Sequence, residues 1–294
     1  AVRCWGSLGD ASGDWMEGKG LPDPLMGGLS TAEITDIDDG SKQGCVVQGQ
    51  GINCWTSAPQ LFAPFGGALW AARVIGLTEV KSVRVAPAHN ACALRRTGTI
   101  WCWGLNTAGQ LGIGTFNNSE SPIAVRDRDN APVTDARAIA VDGARTCAIR
   151  SGGTVWCWGT AWDSSAASDR EPWPVKRPSI RDAVAISISS DTGCAIDSFR
   201  DVWCCGRNTV GRLGTATGSS PGRVPGLPAI QKIAVGGAFV CATIDAPTDN
   251  VWCWGSDVYG QTAGNGAAVT APHPVFHLPG KATNIAAGTT TACA

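Results

Sequence analysis

Paired cysteines recur along the chain at a nearly regular interval. Five pairs begin at Cys45, Cys92, Cys147, Cys194 and Cys241, so the interval is 47 residues except for 55 between the second and third pairs. Self-similarity with a period of this size indicates a solenoid, a propeller or an array of small modules. Each unit consists of short strand-like segments and glycine-rich turns, without a long stretch of helical periodicity. Four such strands per unit predict an all-β fold, a β-propeller with four-stranded blades.

Each unit divides into four predicted strands, which we name A to D in chain order. Strand A is rich in small residues, as in the segment QKIAVGGAFV, and suits the crowded axis of a propeller. Strand B carries the first cysteine, and strand C carries the second within segments such as TIWCWG. A C–D loop, strand D and a proline-containing link lead to the next unit. In this order, A–B turns and C–D loops lie at one face, and B–C turns and D–A links lie at the other.

Strands B and C are expected to be antiparallel neighbours, which places the two cysteines of a unit opposite each other. Cβ atoms at such positions are about 4.5–5.5 Å apart, slightly more than a disulfide spans. The predicted bridges are Cys45–Cys54, Cys92–Cys102, Cys147–Cys157, Cys194–Cys204 and Cys241–Cys253. Each closes a short loop and contributes roughly 2–3 kcal/mol at most in the chain-entropy model. Disulfides explain the 13 cysteines better than zinc sites do, and they predict an extracellular, periplasmic or cell-surface location.

The two ends of the sequence contain the pieces of a sixth unit. The last ten residues, IAAGTTTACA, have the pattern of strands A and B, whereas the first ten, AVRCWGSLGD, begin with strand C. We therefore predict one domain over residues 1–294 with six blades, in which the terminal strands pair and a Cys4–Cys293 bridge closes the ring. Cys205 is then the odd cysteine. It stands where other units have tryptophan, so we expect a buried thiol, with an intermolecular bridge as the alternative.

Tryptophans flank the second cysteine in most units. Because side chains alternate along a strand, Trp101 and Trp103 lie on the face opposite to Cys102. The same reasoning predicts that further tryptophans fill the wedges between blades. These are Trp5, Trp55, Trp156, Trp158, Trp203, Trp252 and Trp254.

The segment from Trp103 to Gly114 resembles the repeat of the RCC1 family (regulator of chromosome condensation), whose hallmark is W-G-x-N-x-x-G-Q-L-G-x-G. The matching residues are Trp103, Gly104, Asn106, Gly109, Gln110, Leu111, Gly112 and Gly114. A second unit retains Gly206, Asn208, Gly211, Leu213 and Gly214, with Arg212 in place of glutamine, and another retains Gly255, Gly260 and Gln261. The resemblance implies a β-propeller, usually with seven blades, so six blades are a departure. The cysteine pairs look like those of secreted, disulfide-rich bacterial members.

The resemblance implies two different kinds of function. The founding member of the family is a nuclear exchange factor that binds chromatin. A net charge of −1 and the lack of a basic tail do not indicate a nucleic-acid partner. Family relatives also include a secreted bacterial β-lactamase inhibitor that binds through one propeller face. Its compartment matches the one that the cysteines indicate, although no contact motif carries over to this sequence.

The sequence contains no recognisable motif for catalysis or cofactor binding. GxSxG, P-loop and HExxH patterns do not occur. His273 and His277 would lie about 13 Å apart in a strand, and Asp36, Asp38 and Asp39 lack the spacing of an EF-hand. There is also no run of roughly eighteen apolar residues that could insert into a membrane. We predict a chain without catalytic residues, metal or cofactor, and a hydrolase with a site in the channel is the weaker alternative.

The face formed by A–B turns and C–D loops carries aromatic residues with few charges. Trp15, Phe62, Phe65, Trp162 and Tyr259 fall in C–D segments, and Phe239, Arg145 and His89 fall in predicted A–B turns. Aromatic and arginine side chains are common anchors of protein interfaces. Because the C–D loops differ in length and sequence, we favour one composite site for a protein partner, as in an inhibitor or an extracellular assembly subunit. A lectin, which would repeat its contact residues in every blade, is the alternative.

Overall fold

Short strands joined by tight turns make up nearly all of the regular structure in the computed structural model of the chain. It describes residues 33–39, 43–56, 72–87, 89–161, 169–177, 180–189, 192–215, 222–264, 266–276, 278 and 280–294. Several residues of the sequence predictions lie outside the described residues, namely Cys4, Trp5, Trp15, Phe62, Phe65, Trp162 and His277.

Five four-stranded sheets, which we number I to V, contain most of the strands. Sheet I has β1 (Ile34–Asp39), β2 (Gln43–Gln48), β3 (Gly51–Thr56) and β4 (Ala72–Arg73), and sheet II has β5 (Val80–Ala86), β6 (Asn90–Arg95), β7 (Ile100–Gly104) and β8 (Ser119–Ala124). Sheet III has β9 (Ala136–Asp142), β10 (Arg145–Arg150), β11 (Thr154–Thr160) and β12 (Arg170–Arg177). Sheet IV has β13 (Ala183–Ser189), β14 (Thr192–Asp197), β15 (Val202–Gly206) and β16 (Gly222–Arg223), and sheet V has β17 (Ile230–Val235), β18 (Phe239–Ile244), β19 (Val251–Gly255) and β20 (Val269–Val275). The last two strands, β21 (Ala286–Ala287) and β22 (Ala292–Cys293), form a two-stranded sheet.

Strand order across each four-stranded sheet follows the order in the chain, and the pairs in sheets I, II, IV and V are antiparallel. Each of these sheets therefore corresponds to one predicted unit with strands A to D. The antiparallel pair β21–β22 corresponds to the predicted strands A and B of the sixth unit.

The chain divides into two compact units. The first comprises Ala1–Thr146 and Glu171–Pro174 and includes sheets I and II, and the second comprises Cys147–Arg170 and Val175–Ala294 and includes sheets IV and V. The division of the chain falls within the residues of sheet III. One domain over residues 1–294 stays a prediction.

Five disulfides join strands B and C of the five four-stranded sheets. They connect the pairs Cys45–Cys54, Cys92–Cys102, Cys147–Cys157, Cys194–Cys204 and Cys241–Cys253. The Cα atoms within each pair are 4.1 or 4.2 Å apart. Where the register is defined, as for Cys92 and Cys102, the two cysteines are directly opposite each other. These are the bridges that the antiparallel pairing of strands B and C predicts.

The remaining two described cysteines differ from each other in their surroundings. Cys205 is buried, as predicted for a cysteine at the position where other repeats have tryptophan. Its Sγ lies 3.6 Å from the carbonyl oxygen of Gly193. Cys293 is an exposed free thiol. Strand β22 ends at Cys293, and Cys4 lies outside the described residues, so the sixth bridge and the closed ring stay predictions.

The inner strands carry more polar side chains than the small-residue pattern predicts, and these side chains link neighbouring sheets. In the first compact unit, between sheets I and II, Asp36 Oδ2 accepts from the Val83 amide at 2.9 Å, and Asp38 Oδ2 accepts from the Val85 amide at 2.6 Å. In the second compact unit, between sheets IV and V, Ser187 Oγ accepts from the Val235 amide at 3.0 Å. Short polar side chains on one strand A thus satisfy backbone N–H groups of the next strand A, which would otherwise lack partners.

The tryptophans of strand C occupy two different environments. The one after the second cysteine is buried in Trp103, Trp158 and Trp254, as expected of residues that fill the spaces between sheets. The tryptophan before the second cysteine is only partly buried in Trp101, Trp156, Trp203 and Trp252. Trp55 is also only partly buried, although it follows the second cysteine of its pair. Three indole N–H groups of this second set donate to side chains in or directly next to the adjacent B–C turn, those of Thr99, Thr154 and Asp197. The tryptophan prediction is therefore right for Trp103, Trp158 and Trp254. It is only partly right for Trp55 and for the tryptophans before the second cysteine.

Candidate functional site

The C–D loop of sheet II is organised around the buried side chain of Asn106. Its Oδ1 accepts from the Leu111 amide at 2.9 Å, and its Nδ2 donates to the carbonyl oxygens of Thr115 and Asn117 at 2.8 and 2.9 Å. The backbone amide of Asn106 in turn donates to Asn118 Oδ1 at 2.8 Å. One carboxamide thereby fixes both halves of the loop, which explains why the repeat motif has asparagine at this position.

Glycine in the same loop allows close contact with strand D of sheet III. Gly109 has φ = 85°, and a Cβ atom there would lie 2.7 Å from Pro172 Cα. The Gly114 amide donates to the Pro172 carbonyl at 2.9 Å, and the Thr146 hydroxyl donates to the Gln110 carbonyl at 2.8 Å. All of these residues belong to the first unit. The loop is therefore held from both sides.

The C–D loop of sheet IV repeats this arrangement around Asn208. Its Oδ1 accepts from the Leu213 amide at 3.0 Å, and its Nδ2 donates to the Thr215 carbonyl at 2.9 Å. Arg212, which replaces the glutamine of the motif, is nearly buried and donates to Thr209 Oγ1 at 3.0 Å and to the Gly237 carbonyl at 3.3 Å. The arginine thus connects this loop to the A–B turn of sheet V.

The C–D loop of sheet V has Asp257 at the position of Asn106. Its Oδ1 accepts from the Thr262 amide at 2.8 Å and from the Thr262 hydroxyl at 2.7 Å, and its Oδ2 accepts from the Gly266 amide at 2.8 Å. Burial on its own would raise the pKa of Asp257, but the hydrogen bonds from Thr262, Gly266 and Gly264 outweigh it, so the pKa lies below its usual value. This carboxylate is therefore ionised at neutral pH and serves as an acceptor.

Tyr259 projects from this fixed loop into solvent. Its side chain is 73% exposed, the neighbouring Val258 is also exposed, and its backbone amide donates to Gln261 Oε1 at 2.8 Å. The corresponding residue of sheet II, Ala108, is only 6% exposed. Gly260, unlike Gly109, has no described residue within 4 Å of a Cβ built on it. The loop of sheet V therefore presents an accessible aromatic ring on a backbone that is already ordered.

Phe239 and Arg145, which the sequence pattern assigns to A–B turns, are in fact the first residues of strands β18 and β10. Phe239 is 0% exposed and Arg145 is 4% exposed, so neither offers its side chain to a partner. The predicted turns end one or more residues earlier than the pattern indicated. The first residue of strand B then points into the core, where Phe239 packs with Cys241 and Cys253.

His89 does lie in the A–B turn of sheet II, with φ = 61°. Its carbonyl oxygen accepts from the Leu105 amide at 3.0 Å, and a side chain at Gly104 would clash with that carbonyl. His89 is only half-exposed. Its backbone joins the A–B turn to the C–D loop, which is a structural role at the predicted face.

A metal or catalytic centre is not evident in the part of the chain that the structure describes. No group of three or more His, Cys, Asp or Glu residues is placed there to hold a metal ion. The carboxylates of Asp36 and Asp38 accept from backbone amides of β5 and do not converge on a shared cation position. Among the described residues, no helix has the length and apolar character needed to cross a membrane.

One exposed aromatic residue at the other end of the sheets was missed by the sequence reasoning. Phe199 lies in the B–C turn of sheet IV and is 79% exposed. The signal was present, because the turn DSFRD places a large apolar residue among charged ones. The role of Asp257 was missed as well. The sequence signal was an acidic residue at the loop position where the other repeats have Asn106 and Asn208.

Sheets of four strands in chain order, repeated along the sequence, define the β-propeller class, and solved structures agree with this assignment. The fold is similar to that of human WBSCR16, with a TM-score of 0.75, 17% identity, and coverage of 88% of this chain and 70% of that chain. It is also similar to Prp20p from Saccharomyces cerevisiae, with a TM-score of 0.66, 13% identity, and coverage of 84% and 65%. Likeness at these identities shows the fold alone.

Within this class, the chain is similar to proteins built from RCC1 repeats. The family model of the regulator of chromosome condensation (RCC1) repeat matches residues 97–138, which run from the B–C turn of sheet II into β9. The human probable E3 ubiquitin-protein ligase HERC6 is 31% identical over 90 residues, which are 30% of this chain and only 8% of that protein. The predicted family resemblance and the propeller fold are confirmed, and the count of six blades stays a prediction.

Proposed function

We propose that this chain is a secreted, non-catalytic recognition module that binds a protein partner through its A–B turns and C–D loops. The observation that carries the proposal is the pair Val258–Tyr259, an exposed apolar patch on a loop that Asp257 already holds in place. Aromatic side chains have few rotatable bonds and large contact area, and a preordered loop loses little entropy on binding. Trp15, Phe62, Phe65 and Trp162 remain proposed members of this surface.

Structural neighbours support a protein partner at the level of the fold. One neighbour is Prp20p, a protein with binding properties to Gsp1p and histones. Another structure has Kap60 bound to yeast RCC1 (Prp20), with a TM-score of 0.63, 14% identity, and coverage of 85% of this chain and 63% of that chain. These partners belong to those proteins. What transfers to the proposal is that proteins of this fold can bind other proteins.

Disulfides support an extracellular, periplasmic or cell-surface location. Five bridges persist only where the surroundings are oxidising, and they are rare in cytosolic or nuclear proteins. The proposal therefore includes a secreted member of the bacterial type, folded as one six-bladed domain that a Cys4–Cys293 bridge closes.

The loop residues argue against one sugar site in each blade. Tyr259 is exposed, whereas the corresponding Ala108 and Val210 offer no aromatic ring, and Ala108 is buried. A lectin that stacks one sugar per blade needs the aromatic residue to recur. A single composite surface, which is the usual case for a protein partner, agrees better with this divergence.

A capture experiment with the full chain tests the proposal. The chain is immobilised and exposed to the extracellular fraction of its source, beside the variants Val258→Ser with Tyr259→Ala and, as a control, Ile75→Ala. Ile75 is equally exposed but lies in a D–A link, away from the C–D loops. We expect the same protein to be retained by the wild type and by Ile75→Ala, and to be lost from the double variant.

The proposal fails if all three forms retain the same proteins, or if retention is competed by simple sugars. Each variant must show the same number of intact bridges as the wild type by mass spectrometry, and an unchanged melting temperature. A loss of binding then reports on the surface and not on folding.

A further inference from the structure

Proline within the described strands is confined to strand D. The prolines are Pro122 in β8, Pro172 and Pro174 in β12, and Pro272 and Pro274 in β20. Strand D is the last strand of each four-stranded sheet and has a neighbour in its sheet on one side only. Its other side, which we name the outer edge, is where a strand of another molecule could pair. Proline lacks the N–H group that such pairing uses.

The register of sheet V places the nitrogen of Pro274 towards the outer edge. Trp252 of β19 and Pro274 are opposite each other in a regular part of the pairing. In sheet II, the Val125 amide donates inwards to the Ile100 carbonyl at 2.9 Å, and Val275 has the position of Val125 in sheet V. Because inward and outward N–H groups alternate along an antiparallel strand, the position after His273 and before Val275 is an outward one. Proline there costs no hydrogen bond to β19 and removes one outward donor.

Pro272 and Pro122 adjoin a second obstacle to pairing. In sheet V, the register against β19 becomes irregular beyond His273, in the segment that begins with Pro272. In sheet II, the register against β7 becomes irregular beyond Ile123, in the segment that begins with Pro122. An irregularity of this kind bends a strand and interrupts the row of N–H and C=O groups along its edge. Proline and irregular register therefore act at the same place in both sheets.

The first residues of the outer edge lie against the C–D loop of the preceding sheet. A Cβ atom on Gly211 would be 2.6 Å from Thr270 Cα, so the C–D loop of sheet IV lies against the start of β20. Similarly, the Gly114 amide in the C–D loop of sheet II donates to the Pro172 carbonyl of β12 at 2.9 Å. The start of strand D is thus covered by a loop, and the prolines of β20 follow this covered part.

Strand β20 differs from the other long D strands in its charge. Its seven residues, VTAPHPV, include no Asp, Glu, Lys or Arg. In contrast, β8 contains Glu120, and β12 has charged residues at both ends. Charged side chains on an edge strand are a common means of preventing strand pairing, and proline is another. Since β20 has no such charge, its protection depends on Pro272 and Pro274.

We propose that Pro272 and Pro274 prevent β20 from pairing with the same strand of a second copy of the chain. Two identical edge strands can pair antiparallel about a two-fold axis when each offers both donors and acceptors. The two prolines leave the outward carbonyl groups in place but remove the outward donors, so the exchange of hydrogen bonds cannot form. This role concerns contacts between copies of the chain, and it is independent of the partner surface proposed at Tyr259.

Sedimentation of the full chain, without any partner, tests this role. Pro272→Thr combined with Pro274→Thr restores both amides with a residue that favours strands. We expect the weight-average mass of this double variant to rise with concentration towards twice that of the wild type. The two introduced amides should exchange with solvent at least about tenfold more slowly in the associated form than in dilute solution. Pro225→Thr, at an exposed turn proline after sheet IV, is the matched control and should sediment as the wild type does.

A charge on the same strand should reverse the association. Ala271 is exposed, and Ala271→Lys in the double variant places like charges on both copies of β20, which should restore the wild-type mass. All variants must match the wild type in number of bridges and in melting temperature. If the double variant does not, Pro274→Thr alone replaces it, because this residue lies in the regular part of the register.

Four results would each overturn the proposal. The first is a folded proline variant with the same mass as the wild type at every concentration. The second is association that Ala271→Lys leaves unchanged, and the third is introduced amides that exchange equally fast in the associated form. The fourth is equal association of Pro225→Thr, because loss of a proline outside the strands should not expose an edge.

Discussion

The C–D loops of sheets II and V form similar turns around one central side chain, Asn106 in sheet II and Asp257 in sheet V. One atom of that side chain is a hydrogen-bond donor in Asn106 and an acceptor in Asp257. In both loops, an oxygen of Asn106 or Asp257 accepts from the amide five residues later, at Leu111 or Thr262. The second atom differs, because the Asn106 nitrogen donates to two carbonyls whereas the second Asp257 oxygen accepts from the Gly266 amide. The position therefore requires an acceptor on one side, and the backbone that faces the other side decides between asparagine and aspartate.

Of the substitutions in these two loops, Asn106→Asp should cause the largest loss of unfolding free energy. The substitution replaces a donor with a carboxylate oxygen that faces the carbonyls of Thr115 and Asn117 in a buried site. An uncompensated buried charge of this kind costs about 4 kcal/mol of unfolding free energy. Urea unfolding at neutral pH measures it. A cost below that of an ordinary surface substitution would show that the loop rearranges freely and that Asn106 is not its organiser.

Gly109→Ala and Gly260→Ala compare how tightly the two loops are packed. Both glycines have positive φ, 85° and 73°, so alanine introduces similar backbone strain at each. Only Gly109 also lies against strand D of the following sheet, at Pro172. We expect a cost of about 3 kcal/mol for Gly109→Ala, from strain together with overpacking, and about 1–2 kcal/mol for Gly260→Ala, from strain alone. Equal costs would contradict the difference in packing.

Asp257→Asn should destabilise the loop of sheet V, because a backbone amide that donates to the carboxylate loses its acceptor. Asparagine keeps one acceptor for Thr262 but places an N–H group towards the Gly266 amide, which leaves buried donors without a partner. Such a change costs about 2 kcal/mol. Melting temperature and urea midpoint at neutral pH measure the effect.

The pH dependence of stability tests whether Asp257 is ionised in the folded chain. The pKa of Asp257 is lowered by folding from its ordinary value of 3.8, so the ionised side chain contributes stability above that value, and the contribution is lost as the pH falls through the lower pKa. The gap between the wild type and Asp257→Asn should therefore narrow in acid. Asn106→Asp should show the opposite trend, because its carboxyl faces carbonyls and gains stability when protonated. A gap that is constant with pH would contradict the assignment of Asp257 as an ionised acceptor.

Local sequence pattern was sufficient to predict the strands and their bridges. Cysteines at opposite positions of two antiparallel strands, such as Cys92 and Cys102, are fixed by a short turn, so their pairing depends on neighbouring residues only. The burial of Trp103 and of Cys205 follows from alternation along the same strands. Such features can be derived because each depends on a few consecutive residues.

Side-chain exposure at the ends of strands could not be derived in the same way. Phe239 and Arg145 stand one residue inside strand B, and a shift of one residue converts an exposed turn residue into a buried one. The polar inner strand was missed because Asp36 and Asp38 have partners on β5, more than forty residues away in the chain. Long-range partners of this kind become visible only when neighbouring sheets are placed side by side.

Tyr259→Ala should have the smallest effect on stability, and a small effect would indicate that the ring is accessible to a partner. The ring is largely in solvent, and what holds the loop is the Asp257 side chain and the backbone contact of Tyr259 with Gln261, which alanine retains. We expect a change in unfolding free energy within about 0.5 kcal/mol, as for an ordinary surface substitution. Val258→Ser, its exposed neighbour, serves as the control in the same urea experiment. A cost of several kcal/mol would mean that the ring packs against the protein, and Tyr259 would then be a structural residue and not an accessible contact for a partner.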